Sequence, residues 1–144
     1  MTRIPPKFDA IKYKQTTLQQ WNSAAAAWHR WGPLLSRWLG PATETMLDMC
    51  NITDGSRVLD VAAGAGEQSV ATAKRVGAAG YVLATDISPN ILEYAATAAK
   101  LAGLSNVYTH VVDGENLTKL ETVPFDAVIS RVGRSRYAEK GFEA

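Results

Sequence analysis

The stretch Arg57-Val58-Leu59-Asp60-Val61-Ala62-Ala63-Gly64-Ala65-Gly66-Glu67 decides the fold. Its first five residues are a short, β-branched apolar run, the pattern of a strand buried on both faces. A loop of alanines and glycines follows, in which Gly64 and Gly66 permit positive φ and let the backbone approach a ligand closely. From Glu67 to about Val76 the pattern is helical, and Gly77 and Gly80 stop it.

Downstream the alternation continues. Tyr81–Thr85 predicts a second strand ending at Asp86, and Ser88-Pro89 places an N-cap and a first-turn proline at the head of the next helix. That helix runs to about Ala102 and stops at Gly103. Val107–Val112 predicts a third strand ending at Asp113, and Phe125–Ser130 a fourth. The polar connection between Asp113 and Pro124 has room for a turn or two of helix. Strands alternating with helices in this order specify an α/β fold with a parallel sheet and right-handed crossovers.

Upstream, residues 1–15 read as a flexible arm and residues 16–50 as a helical lid. Leu18, Trp21, Ala25, Trp28 and Trp31 recur at helical spacing. Gly32-Pro33 and Gly40-Pro41 predict breaks into three helices, the last ending near Cys50, with a turn over Asn51–Gly55. The tryptophan stripe reads first as core; the alternative is a cover for a bound ligand or a flat apolar acceptor.

Composition narrows the class. The 144 residues are 47% hydrophobic and 20% charged with a formal charge of +1, which excludes wholesale disorder and gives no basic excess for nucleic acid. No apolar run reaches the ~20 residues of a membrane span, and the N-terminus has no secretory h-region. The expectation is a soluble, cytoplasmic protein. The one cysteine, Cys50, makes no internal disulfide and is expected as a buried small hydrophobe. His29 and His110 stand alone, so no metal site is expected. Arg131, Arg134 and Arg136 read as a solvated basic run.

In parallel sheets ligands bind at the carboxyl ends of the strands. Asp86, twenty residues beyond Gly66, is placed to accept both hydroxyls of a ribose. Asp113 and the N–H of Gly114 are placed to read the edge of an adenine. Two ligand classes fit, a dinucleotide such as NAD(P) and S-adenosylmethionine. The third glycine of the dinucleotide fingerprint is missing, and Glu67 would stand where a pyrophosphate sits. A cationic ligand tolerates Asp60 and Glu67, so electrostatics favour S-adenosylmethionine.

Val58–Gly66 resembles motif I of the class I S-adenosylmethionine-dependent methyltransferases. Leu83–Ser88, Val112–Leu117 and Phe125–Arg131 resemble the motifs that follow it. Four motifs in order make the resemblance specific over about residues 16–133, closest to the ubiquinone/menaquinone-biosynthesis type. It implies a Rossmann-like sheet of order 3-2-1-4-5-7-6, of which residues 51–133 supply strands one to four as the cofactor-binding core.

The resemblance also implies roles. Asp60 would orient the loop and reach the methionine ammonium through water. Backbone at Ala62 and Gly64 would line the methionine, with Gly66 of the same loop also cofactor-binding, Asp86 would hold the ribose, and Ile87 would pack on adenine. Asp113 and Gly114 would read the adenine edge, and Ser130 would lie near the methionine and the acceptor. Ala62 stands where the family usually has glycine. No catalytic base is implied, because transfer of an activated methyl rests on alignment. The acceptor would be a small, lipophilic molecule.

Residues 134–144 read as an irregular tail in place of further strands, so the chain is expected to be a C-terminally truncated member. An exposed strand four would then invite self-association or a partner chain. Two alternatives remain open: an inactive S-adenosylmethionine-binding module, and an NAD(P)-binding oxidoreductase domain.

Overall fold

A computed structural model describes residues 6–120 and 122–131. Helix α1 spans Ala10–Met49, β1 Arg57–Val61, α2 Glu67–Val76, β2 Tyr81–Asp86, α3 Pro89–Leu101, β3 Val107–Val111 and β4 Ala127–Ile129. A short 3₁₀ helix, Gly114–Lys119, joins β3 towards β4, which matches the turn or two expected there. The four strands form one parallel sheet of order β3-β2-β1-β4. This is the first half of the strand order that the motifs implied. The expected tail, residues 134–144, lies outside the described residues.

The sheet's two faces are covered differently. Val58, Val82 and Ile129 point to the helical side and pack with Leu47, Ile52, Ala73 and Val76. Ala84 meets Ala63, Leu92 and Ala95 on the same side. On the other face Leu59, Val61 and Leu83 are covered by Leu117, Leu120, Phe125 and Tyr81. That cover is thin at its margins, where Tyr108 of β3 and Val128 of β4 are half exposed or more.

Helix α1 departs from expectation. It is one continuous helix of 40 residues with Pro33 and Pro41 inside it, where breaks were predicted. A proline inside a helix forfeits one backbone hydrogen bond and costs about 3 kcal/mol. Docking opposes that cost: Ala25, Gly32, Thr43 and Leu47 are buried along its length, and α1 packs on both α2 and α3. The helix begins at Ala10 under an Asp9 cap that accepts from the Lys12 N–H at 3.0 Å, so residues 10–15 belong to it and not to an arm. Its end is a turn in which Asn51 takes φ 51° and the Ile52 N–H reaches back to the Leu47 carbonyl. Cys50, in that turn, is exposed and not buried as expected.

The tryptophans split. Trp21 and Trp28 are half-buried against Ala25, Ala65 and Ile91, whereas Trp31 and Trp38 are exposed. A 100° step between residues carries a stripe of this length around the helix, so only its first part faces the protein.

The turn from β1 into α2 is tightly packed. Asp60 is fully buried, and its carboxylate accepts from Gln68 Nε2 and, at 2.6 Å, from Ser69 Oγ. Gly66 caps α2 at φ 105°, and a Cβ there would stand 2.8 Å from the Ala95 Cα of α3. Gly64 has φ 66° with open space around it, and Ala62 has φ 55° despite its side chain.

Burial pushes the Asp60 carboxyl up to about 7, against the Ser69 and Gln68 hydrogen bonds that pull it down. An unfolded aspartate titrates near about 3.9. Between these values the folded chain holds a proton that the unfolded chain has released. The contribution of Asp60 to stability is therefore full at low pH and lost as pH rises towards neutrality.

Four outcomes follow from this turn. Gly66→Ala adds overpacking to left-handed strain and lowers unfolding free energy by about 2–4 kcal/mol. Gly64→Ala carries only the left-handed cost, about 1–2 kcal/mol, and Ala62→Gly relieves a similar strain and raises stability. Equal urea midpoints for the two glycine variants would contradict the close approach to Ala95. In Asp60→Asn, the wild-type advantage should shrink as pH rises from about 4 to about 7 and then level off. A wild-type-minus-variant difference that is flat across that window would show that Asp60 keeps its ordinary titration.

Candidate functional site

Two neighbouring clefts open at the carboxyl ends of the strands. They share Ala62 and Trp21, so the turn after β1 forms a common wall between them.

The first cleft holds about 580 Å³ counting its open mouth, within the range of small-molecule sites. Ala62, Asp86, Ile87, Asp113 and Glu115 line it from the strand ends, and Tyr13, Lys14, Thr17 and Trp21 from α1. Asp86 ends β2 and is 6% exposed. Its Oδ2 accepts from the Gly64 N–H and its Oδ1 from the Ser88 N–H, both at 3.1 Å. An ionised carboxylate has about four acceptor sites, so about two remain for a ligand. Ser88 acts as predicted: its hydroxyl caps α3 through the Ile91 N–H and donates to Asn22 of α1 at 2.5 Å.

Asp113 accepts from the Glu115 N–H at 3.0 Å and pairs with Lys14 Nζ at 2.7 Å. Lys14 also reaches Glu115 at 2.5 Å. Burial pushes the Asp113 carboxyl up, but Lys14 and the Glu115 N–H outweigh it and hold the group below its ordinary value. The Lys14 ammonium is raised in turn by hydrogen bonds to both carboxylates.

The second cleft lies over the N-terminus of α2. Gly64, Glu67, Gln68 and Arg131 give it polar walls, and Trp21, Trp28, Leu39 and Ile91 apolar ones. Burial raises Glu67 above its ordinary value, with the charges of Arg131 and His29 acting the other way. Arg131 donates from Nη1 to Thr43 Oγ1 at 2.9 Å, and its Nε is buried with no partner among the described residues.

The structure thus brings Ala62, Asp86, Ile87 and Asp113 together around one cleft and sets Gly64 on the next. Gly66 is the buried cap of α2 behind them. Gly114 follows Asp113 at the start of the 3₁₀ helix but does not line either cleft. Asp60 lies beneath the turn with its oxygens given to α2. Ser130 is exposed after β4 and lines neither cleft; its neighbour Arg131 does line the second.

Sequence reasoning missed Lys14, Glu115 and Arg131. Lys14 was hidden because the apolar periodicity of α1 starts only after it, although Asp9 three residues before Lys12 was a usable cap signal. Arg131 was read with Arg134 and Arg136 as a surface run, and only its hydrogen bond to Thr43 of α1 shows that it turns towards the cleft. No helix of the described residues is long and apolar enough to cross a membrane.

Comparison with known proteins agrees with this architecture. The aklanonic acid methyltransferase DauC of Streptomyces sp. (strain C5) is 30% identical over 103 residues, covering 72% of this chain and 46% of that protein. Protein-L-isoaspartate O-methyltransferase 2 of Archaeoglobus fulgidus is 31% identical over 83 residues, covering 58% of this chain and 37% of that one. The chain spans less than half the length of either curated relative. Among solved structures, a protein of Methanococcus maripaludis described as an S-adenosyl-L-methionine-dependent methyltransferase superposes with a TM-score of 0.70. At 22% identity over 82% of this chain and 53% of that one, it is a likeness of fold. Residues 52–138 match the family model described as a methyltransferase domain. That match begins just before β1 and runs past the end of β4, taking in the whole sheet and every strand-end residue above, and the chain accordingly belongs to the methyltransferase-domain family.

Proposed function

We propose that this chain carries the cofactor-binding part of an S-adenosylmethionine-dependent methyltransferase that acts on a small, lipophilic acceptor of the kind methylated in ubiquinone and menaquinone biosynthesis. The carrying observation is Asp86. It is fixed by two backbone N–H groups at the end of β2, and its remaining acceptor sites face a cleft that Asp113 enters from the next strand. Asp86 then accepts hydrogen bonds from the ribose hydroxyls, Ile87 packs on the adenine, and Asp113 accepts a hydrogen bond from its amino group. Backbone at Ala62 and Gly64 leads from that cleft towards the methionine end. When bound, the sulfonium supplies an already activated methyl group, so this chain's residues contribute alignment and exclusion of water.

Two features support the choice of ligand. Glu67 stands in the first turn of α2, where a dinucleotide's pyrophosphate needs free N–H groups and no negative charge. The half-buried Trp21 and Trp28 present an apolar wall that suits a flat, lipophilic acceptor.

Calorimetry on the full chain tests the reading. S-adenosylhomocysteine should bind and NAD should not. Asp86→Ala should weaken S-adenosylhomocysteine by about 10–100-fold, the equivalent of about 1.5–3 kcal/mol for hydrogen bonds to a charged group. Binding of NAD without S-adenosylhomocysteine, or unchanged affinity in the variant, would overturn it.

A further inference from the structure

We propose that the exposed face of α1 between Ala27 and Trp38 docks onto an anionic lipid surface, with the helix lying in the plane of the headgroups. The proposal goes beyond methyl transfer and does not depend on it.

Ala27, Trp28, Trp31, Leu34, Leu35 and Trp38 line one shallow apolar groove. Spacings of three and four residues place them on one side of the helix. Trp31, Leu34 and Trp38 are 55%, 50% and 74% exposed. Large apolar side chains gathered in one exposed patch mark an interaction surface, whereas single ones scattered over a surface do not.

Charge identifies what covers the patch. From Ala10 to Thr43 the sequence has no Asp or Glu, but it has Lys12, Lys14, Arg30 and Arg37. The whole chain carries a formal charge of only +1, so the remainder is net acidic and positive charge is gathered on this helix. Lys14 is paired with Asp113 and Glu115. Arg30 and Arg37 are exposed and have no carboxylate partner among the described residues. Two helical turns apart, they lie almost in line along the helix, with Leu34 between them. Arg30 leans over Trp31, 6.0 Å from the ring centroid.

Tryptophan and leucine on one face with arginines along its margin is the make-up of a helix that lies at a membrane interface. The rings enter the boundary of the acyl chains, and the guanidinium groups reach out to the lipid phosphates. A second copy of the chain suits the patch less well. Pairing α1 with α1 would bring these arginines to a stretch of helix without acids, and the next acid along it, Glu44, is already paired with Arg75. No helix of the described residues is fit to cross a membrane, so attachment is in the plane. Trp28 lines both this groove and the second cleft, and docking therefore sets the lipid surface beside that cleft.

The test is sedimentation of the full chain with lipid vesicles, one set of phosphatidylcholine and one of phosphatidylcholine with an equal part of phosphatidylglycerol. The unaltered chain should bind the anionic vesicles about tenfold or more tightly than the neutral ones, and raised salt should narrow that gap. Trp31→Ser combined with Trp38→Ser should weaken binding to anionic vesicles by about tenfold or more. Arg30→Gln combined with Arg37→Gln should bring the two vesicle types within about twofold of each other. None of these four residues lines either cleft, so both double variants should keep the circular dichroism of the unaltered chain and its affinity for S-adenosylhomocysteine, if it has one.

Equal binding to the two vesicle types, or binding that survives both double variants, overturns the proposal. So does a chain that stays off the vesicles and sediments as a dimer which the tryptophan variant makes monomeric, because the face then belongs to a second copy. Should a variant not fold, the unaltered chain still decides. All four tryptophans are on α1, and anionic vesicles with brominated acyl chains should quench their fluorescence; no quenching overturns the docking.

Discussion

The sealed carboxylate of Asp60 is the constraint around which this end of the sheet is organised. It sits at the end of β1 with no exposure to solvent and takes donors from Gln68 and Ser69 at the start of α2. A buried acid without partners would be among the most costly groups in the chain; with two donors it becomes a tie between strand and helix. The tie leaves the intervening residues little choice of path. The turn must reverse tightly, which is why Ala62, Gly64 and Gly66 all take positive φ. Thr85 strengthens the same corner by donating its hydroxyl to the Asp60 carbonyl, and its own carbonyl accepts from the Ala63 N–H.

Asp86, on the neighbouring strand, shows how a similar residue is put to another use. Its partners are backbone N–H groups, one from the turn at Gly64 and one from its own chain at Ser88. Each oxygen takes one of them, so the group is positioned without being used up. Asp60 and Asp86 thus divide the work. The first is closed off to hold the turn in shape, and the second is held by that turn to face the cleft.

The parts of the fold that were legible in the sequence are those governed by local rules. The run Arg57–Val61, the Ser88-Pro89 cap and the short connection after Asp113 each appear where their own residues demand. What was illegible depends on partners distant in sequence. Pro33 and Pro41 carry a local instruction to break the helix, and the packing of Gly32, Thr43 and Leu47 overrides it. Arg131 looks like one member of an exposed basic run until Thr43, 88 residues earlier, is found against it. Cys50 shows the converse, since residue type suggested burial while its place in the turn after α1 leaves it in solvent. At the site, the strand-end carboxylates were predictable because parallel sheets always present those positions. The contribution of α1 was not, because nothing local says where a helix will dock.

The ion pairs of Lys14 bear on how the first cleft works. They bring the first turns of α1 onto Asp113 and Glu115, at the place assigned to adenine. Lys14 does not thereby block Asp113. The carboxylate accepts one bond from the Glu115 N–H and one from Lys14, and about two acceptor sites remain. The ammonium instead keeps Asp113 ionised below its ordinary range, the state in which it accepts from an amino group and donates nothing. Helix α1 therefore serves the site at three levels along its length. Lys14 pairs with Asp113, the residue proposed to meet the base. Trp21 walls both clefts, and Thr43 holds the arginine that lines the second. These positions lie on one unbroken helix despite its two prolines, so a break at either one would separate Thr43 from Lys14 and Trp21 and part the walls of the two clefts.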